Sequence, residues 1–348
     1  MIAHSLIDFV KLRWLCKTAK SDMKWKAKQR ASLMLAVAFW LTAVICHAQS
    51  GWTATQISSG GKDLNAVYFA DSKRGWVAGD GGFFSYTEDG GRSWVERPLG
   101  INHPVNDIYF VGKDTGFALA GGSIFETADG GHSWRETHKF LPSEFDGATP
   151  ELYSLRFNGK KRGWVVGSAS RGDVITNSIL AITRDGGANW QVLQAPTRQE
   201  LIHIDVVDEK RAWIVGADGA ILHTDDGGES WIRQASGTRV TLFHVDFRNE
   251  KKGWAVGEEG TILRTDNGGQ TWTKVDAPTH STLLGVQFVS DDEGWVVGRR
   301  GSILRSSDGG RTWVEQESGT KQNLFALFMT KKNGWAVGSK GLILRYER

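Results

Sequence analysis

An all-β, seven-bladed β-propeller of four-stranded blades is the fold this sequence predicts for residues 49–348, and three observations carry it. An eight-residue motif, Ser/Thr-x-Asp-Gly-Gly-x-Ser/Thr-Trp, recurs six times. A second motif, Gly-Trp-x-x-Gly, recurs ahead of it at intervals of 40 to 49 residues, about the length of one four-stranded blade. The composition agrees: 16 Trp, 43 Gly and only 6 Pro in 348 residues describe short strands joined by tight turns.

The first motif occurs as Thr87–Trp94, Thr127–Trp134, Thr183–Trp190 (with Asn189 before the Trp), Thr224–Trp231, Thr265–Trp272 (with Asn267 for Asp) and Ser306–Trp313. This is the Asp-box, and it resembles the repeats of sialidase-type and related propellers. Its Asp is expected to accept hydrogen bonds from backbone N–H groups of its own Gly-Gly turn. Its Trp is expected to anchor the hairpin against the neighbouring sheet. A residue needed once per blade is a requirement of the fold, so these Asp and Trp residues are assigned to turn and packing rather than to carbohydrate chemistry. Asp225-Asp226-Gly227-Gly228 lacks the spaced ligands and distal Glu of a calcium loop.

The second motif appears at Trp76, Trp164, Trp213 (after Ala212), Trp254, Trp295 and Trp335, with Phe117 in the Trp place of a seventh copy. Each unit reads as four strands. In residues 242–275, these are Leu242 to Phe247, Gly253 to Val256, Thr261 to Thr265 and Trp272 to Val275. Seven second strands against six Asp-boxes leave one blade incomplete. The segment from Gly51 to Gly60 resembles a fourth strand, and Leu342 to Arg345 reads as a third. The N-terminal strand is therefore expected to complete the seventh blade beside the C-terminal one, removing two exposed edges.

Residues 1–48 read as an N-terminal extension and signal peptide. Lys24, Lys26, Lys28 and Arg30 precede an apolar run from Ala31 to Ile45. Small residues Cys46 and Ala48 frame a cut before Gln49. Met23 is a candidate start. The run is short for a membrane span, and an uncleaved anchor is the alternative. The protein is thus expected to be exported, to the periplasm, a thylakoid lumen or the medium. Both cysteines, Cys16 and Cys46, lie in this leader, so the remainder offers no disulfide or thiolate chemistry. The leader also holds eight of the 42 basic and two of the 39 acidic residues. Residues 49–348 keep 34 basic and 37 acidic, which gives no electrostatic case for nucleic acid.

Function is expected where the blades differ. Arg264, Arg305 and Arg345 occupy one third-strand position in three consecutive units, where His223, Glu126 and Tyr86 stand in others. Together they would make a cationic arc suited to carboxylates or an acidic segment, unless each is paired with Asp or Glu. The turn after the second strand reads Asp80-Gly81, Asp218-Gly219, Glu258-Glu259, Arg299-Arg300 and Ser339-Lys340. These turns share one face, and the change of sign around the ring could orient a protein partner. Arg299 and Arg300 join the candidate partner-binding residues on that account. Two insertions complete the set: Lys139 to Pro150 before the third unit, and Ser168 to Asn177, read as a lengthened turn within it.

No His cluster has metal-ligand spacing, and no phosphate loop appears. No cofactor is expected, and the protein is read as a non-enzyme. The five tyrosines of residues 49–348 stand in no sialidase context. A glycosidase pair of carboxylates is a matter of distances in space, so a glycan-binding or glycan-cleaving Asp-box propeller stays the alternative.

The run Gly-Trp-Ala-Val-Gly, Gly-x-Ile-Leu-Arg-Thr, Asp-Gly-Gly-x-Thr-Trp resembles the photosystem II stability and assembly factor family, best over Trp254–Trp272 and Trp295–Trp313. The resemblance covers all seven units. It implies an exported, non-enzymatic propeller, lumenal in photosynthetic cells. Such a protein helps assemble the reaction centre by binding its precursor protein and pigment-protein partners. Similar proteins occur in non-photosynthetic bacteria. An arginine-rich docking surface is also implied, and Arg264, Arg305 and Arg345 match its sequence context. Phe117, Asn267 and the irregular third unit depart from the pattern. The expected partner is a membrane-protein complex or its precursor, bound by a monomer.

Overall fold

The computed structural model describes residues 51–57 and 60–348. The leader, with Cys16, Cys46 and the cut expected before Gln49, lies outside them. The described residues form seven antiparallel four-stranded sheets, the blades of a propeller. In each, the chain runs outward from the first strand. The first strands touch one another in a closed ring: Leu64–Phe69, Val105–Phe110, Thr149–Asn158, Leu201–Val206, Leu242–Phe247, Leu283–Phe288 and Leu324–Met329, in blades 1 to 7.

Blade 5 has its strands at Leu242–Phe247, Gly253–Gly257, Ile262–Thr265 and Thr273–Val275, each end within one residue of the sequence reading. Burial falls outward. Gly253–Gly257 is wholly buried between neighbouring blades, whereas Thr273–Val275 is largely exposed. Blade 7 is completed as expected. Trp52–Gln56 pairs antiparallel with Leu342–Glu347, from Trp52 opposite Tyr346 to Gln56 opposite Leu342.

A repeated aromatic sandwich joins the blades. Val206 and Met329 end the first strands of blades 4 and 7. At four of the seven blade junctions, the Trp of Gly-Trp-x-x-Gly lies face to face on the aromatic residue ending the next blade's first strand. The Asp-box Trp of that next blade meets the same ring edge-on. Trp213–Phe247–Trp272 has centroid separations of 3.7 and 5.7 Å. Trp335–Phe69–Trp94 has 3.5 and 6.1 Å, and Trp76–Phe110–Trp134 has 4.0 and 6.0 Å. Phe117 serves in the Trp place, stacking on Phe157 at 4.6 Å. Offset stacks and edge contacts each add about 0.5–1.5 kcal/mol beyond the area they bury. The indole N–H of Trp213, Trp254 and Trp335 also donates to an Asp-box glycine carbonyl of the following blade, at 3.1–3.2 Å. The second glycine of the box is needed for this approach: a Cβ on Gly310 would sit 2.2 Å from Trp254 Nε1, and its φ is +75°.

Two expectations are corrected. The Asp-box carboxylate does not bind the glycine N–H groups. Asp308 Oδ1 accepts from the N–H of Arg311 and Thr312, while the N–H of Gly310 donates to Ser306 Oγ. With φ of +75° at both glycines, the turn carries the chain past the carboxylate before its N–H groups face it. The second correction concerns Ser168 to Asn177. It lengthens strands rather than a turn: Arg162–Arg171 and Val174–Thr183 form a hairpin of two ten-residue strands with only Gly172 and Asp173 between them. The other insertion, Lys139 to Pro150, contains a short 3-10 turn, Pro142–Phe145, whose Phe145 is buried with Phe140 against blade 3.

A candidate partner-binding face

The Asp-boxes and the first-to-second-strand turns lie on one face of the disc. The second-to-third-strand turns lie on the other. This separates the five candidate arginines. Arg264, Arg305 and Arg345 pair in register with Trp254, Trp295 and Trp335 beside the Asp-box face. Arg299 and Arg300 are exposed on the opposite face, Arg300 with a φ of +58° that L-residues adopt only under strain.

The three third-strand arginines are each held by a carboxylate. Arg264 bonds Asp266 at 2.5 Å, and its Nε–H donates to the Gly309 carbonyl of blade 6. Arg305 bonds Glu293 at 2.6 Å and lies over the Trp295 ring, 5.1 Å from its centre. Arg345 bonds Glu347. Pairing does not neutralise the region, because carboxylates are shared. Glu293 also takes Arg348 at 3.2 Å, and Glu347 also takes Arg92 at 3.6 Å. Among the described residues, four guanidiniums meet two side-chain carboxylates where blades 6, 7 and 1 join, so guanidiniums are in excess there. Arg348 and Arg92 are 57 and 64 % exposed, free to turn to an incoming anion. Among the described residues, the buried Nε–H groups of Arg305 and Arg345 have no acceptor. Next to them, Arg264, Lys274 and Arg311 line a groove of about 490 Å3 between blades 5 and 6, with Asp276.

The sequence reading missed Arg92, Arg311, Arg348 and Lys274. Two of them carried a usable signal. The variable position after the Asp-box glycines reads Arg92, His132, Ala188, Glu229, Gln270 and Arg311, so its arginines flank the seventh blade. Nothing in the chain order brings Arg348 to Glu293 or Arg92 to Glu347.

The sequence reading also missed a polar cluster in the central ring. Arg156 donates to Asp107 at 2.7 Å and contacts His203 Nε2 at 2.9 Å, and His203 stacks on His244 with centroids 3.6 Å apart. Burial lowers the pKa of His203 well below its usual value. Burial, with Arg156, takes that of His244 to about 3, so both rings are neutral. Burial, helped by neighbouring Asp205, pushes Asp246 up to about 8. Burial raises Asp205 as well. These acids join blades: Asp205 Oδ2 accepts the Phe247 N–H at 2.6 Å, and Asp246 Oδ2 accepts that of Phe288 at 2.9 Å. Gln287 makes the same bond to Met329 in the next blade. Among the described residues, no group of three His, Cys, Asp or Glu side chains converges to hold a metal ion.

Comparison with known proteins gives a consistent answer. The family model for the photosynthesis system II assembly factor YCF48 matches residues 97–191, 148–241, 182–280 and 277–347. The photosystem II assembly lipoprotein Ycf48 of Synechococcus sp. (strain CC9902) is 28 % identical over 155 residues, 43 % of this chain and 42 % of that protein. The chloroplastic photosystem II stability/assembly factor HCF136 of Arabidopsis thaliana is 31 % identical over 127 residues, 34 % of this chain and 28 % of that protein. The matches thus span less than half the length of these curated relatives. Among solved structures, YCF48 bound to D1 peptide superposes with a TM-score of 0.69 at 22 % identity, covering 86 % of this chain and 97 % of that one. Virginiamycin B lyase from Staphylococcus aureus reaches the same 0.69 at 14 % identity, covering 85 and 99 %. Likeness at these identities speaks for the fold alone, and this fold carries enzymes as well as assembly factors.

Proposed function

Since this chain belongs to the photosystem II assembly factor YCF48 family, we propose that it is an exported, non-enzymatic scaffold that holds a protein of the photosystem, or of an equivalent membrane complex, during assembly. The partner segment is acidic or ends in a carboxylate, and it docks on the Asp-box face of blades 5, 6, 7 and 1. Residues 49–348 are the binding domain, and residues 1–48 direct export. One observation carries the reading most: among the described residues, Arg305, Arg348, Arg345 and Arg92 share Glu293 and Glu347 as their ion-pair partners. Partly exposed guanidiniums that share a carboxylate can exchange it for an incoming one at little cost in desolvation. The relative solved with a D1 peptide supports a polypeptide as the occupant.

Glycan chemistry has less support. Five of the six Asp-boxes have Asp, and each of these carboxylates is spent on its own turn. The buried Asp205 and Asp246 are spent on the next blade's backbone.

The test is binding of a D1-derived peptide with a free terminal carboxylate to the wild type and to Arg305→Glu with Arg348→Glu. The reading expects at least about tenfold weaker binding by the double variant and a steep loss with added salt. Equal affinity with an unchanged fold would remove the site.

A further inference from the structure

The ring of first strands leaves a funnel at the centre of the disc, a cavity of about 280 Å3. It opens on the face of the second-to-third-strand turns, opposite the arginine-rich face. Its two walls differ in chemistry. Blades 1, 2 and 3 supply Asn65, Asn106 and Tyr153, and each sits against a carboxylate. Asn65 Nδ2 donates to Asp80 Oδ1 at 3.3 Å, and Asn106 Nδ2 donates to Glu151 Oε1 at 3.0 Å. Burial raises the pKa of the Tyr153 phenol, and Glu200 and Glu151 beside it add to the rise. Among the described residues, Asp80, Glu151 and Glu200 form no ion pair. Blades 4 to 7 supply the other wall: Ile202, Phe243, Leu284 and Phe325.

The floor is Asp107, Arg156, His203 and His244. Its one cation is already matched by Asp107 at 2.7 Å, and both histidines are neutral. The buried Nδ1 of His244 has no hydrogen-bond partner among the described residues. An anion entering here would meet the carboxylates of Asp80, Glu151 and Glu200 set directly behind Asn65, Asn106 and Tyr153. A cation would meet them with attraction, strengthened by the low dielectric of a narrow cleft. The face of Tyr153 suits an ammonium group, and the apolar wall of Ile202, Phe243, Leu284 and Phe325 suits a hydrocarbon stem.

We infer that the funnel is a second binding site, one that takes a cationic head carried on an apolar stem. A free organic amine has this chemistry, and so does a basic side chain of a bound polypeptide. The head lies toward Glu151, Glu200 and Asp80, and the stem lies along Phe243, Leu284 and Phe325. The site is separate from the arginine-rich face and does not depend on what docks there.

Calorimetric titration of the whole protein with hexylammonium, hexanoate and hexanol tests it. Hexylammonium should bind one to one and at least about tenfold tighter than hexanoate. Glu151→Gln with Glu200→Gln should remove that preference while leaving hexanol unchanged. Phe243→Ala should weaken the amine and the alcohol alike. Asp80→Asn provides an independent carboxylate should the double variant melt early. Displacement of hexylammonium by the peptide acetyl-Leu-Lys-Leu-amide assigns the natural head to a polypeptide, and its failure to displace assigns it to a free amine. The inference is overturned if hexanoate binds as tightly as hexylammonium, if no saturable amine binding occurs, or if amine binding survives the carboxylate substitutions unchanged.

Discussion

Trp254 lies flat on Phe288 of the next blade, with ring centroids 3.5 Å apart and planes 10° from parallel. Trp313 meets the same Phe288 edge-on at 5.7 Å. Both stacked rings are almost wholly buried. Phe288→Ala therefore removes one stack and one edge contact and opens a cavity between blades. The expected loss is about 3–5 kcal/mol, read as a lower denaturant midpoint. Phe288→Met should cost much less, because blade 7 already places Met329 at this position against Trp295.

The Asp-boxes make the fold sensitive to acid. In Asp226 and Asp185 the hydrogen bonds from Ser230 and Asn189 take the carboxyl to about 2, against an ordinary 3.8. In Asp308 a burial cost is outweighed by the bonds from Thr312 and Ser306, with the same result of about 2. A lowered folded pKa means stability present above about 4 and lost as pH falls toward 2. The thermal midpoint should drop over that window. Asp308→Asn should shrink the drop, because Asn267 keeps the same turn with an uncharged group: its Oδ1 accepts the Thr271 N–H at 3.0 Å.

Glu293→Gln should strengthen, not weaken, the capture of an acidic peptide. It releases Arg305 and Arg348 from their shared partner while leaving both in place. The expected gain is about twofold to tenfold at low ionic strength, shrinking as salt rises. Surface plasmon resonance across a salt series checks it. A loss of affinity on this substitution would mean that Glu293 positions the arginines rather than competing for them.

The central ring gives the opposite pH dependence. Asp246 is pushed up to about 8, chiefly by burial, against 3.8 for the free group. A raised folded pKa means stability fully present below about 4 and lost as pH rises through 8. The denaturant midpoint of the wild type should therefore decline from pH 5 to pH 9. Asp246→Asn keeps an acceptor for the Phe288 N–H and should flatten that decline. An unchanged slope would show that other groups set it.

Repetition made the fold legible and hid much of the site. Trp254 and its six counterparts, read with the Asp-boxes, gave blade count, strand order and even the closing strand from Trp52. The turn chemistry was harder, because Asp308 bonds N–H groups that only the folded glycine pair swings toward it. The site was legible only where it obeyed the repeat. Arg264, Arg305 and Arg345 stood out as one position in consecutive blades. Arg348 and Arg92 did not, because they meet Glu293 and Glu347 through ring closure, across residues far apart in the chain. The funnel was equally hidden. Its character depends on which seven side chains face one another around the axis, and a single strand such as Leu242–Phe247 shows only one of them.

The pairing of Trp52–Gln56 with Leu342–Glu347 also orders events in time. The Thr53 hydroxyl bonds the Arg345 carbonyl across 292 residues of chain. Contacts of such long range form slowly, because a large loop must close first. The earliest described strand must wait, unpaired, until the furthest one along the chain is available. Six blades can form one after another as the polypeptide appears, but the ring shuts only at the end. Until then, the exposed edge of Leu342–Glu347 and the loose first strand invite pairing with another molecule. Holding that segment until the ring shuts is where a chaperone would most affect the yield of folded protein.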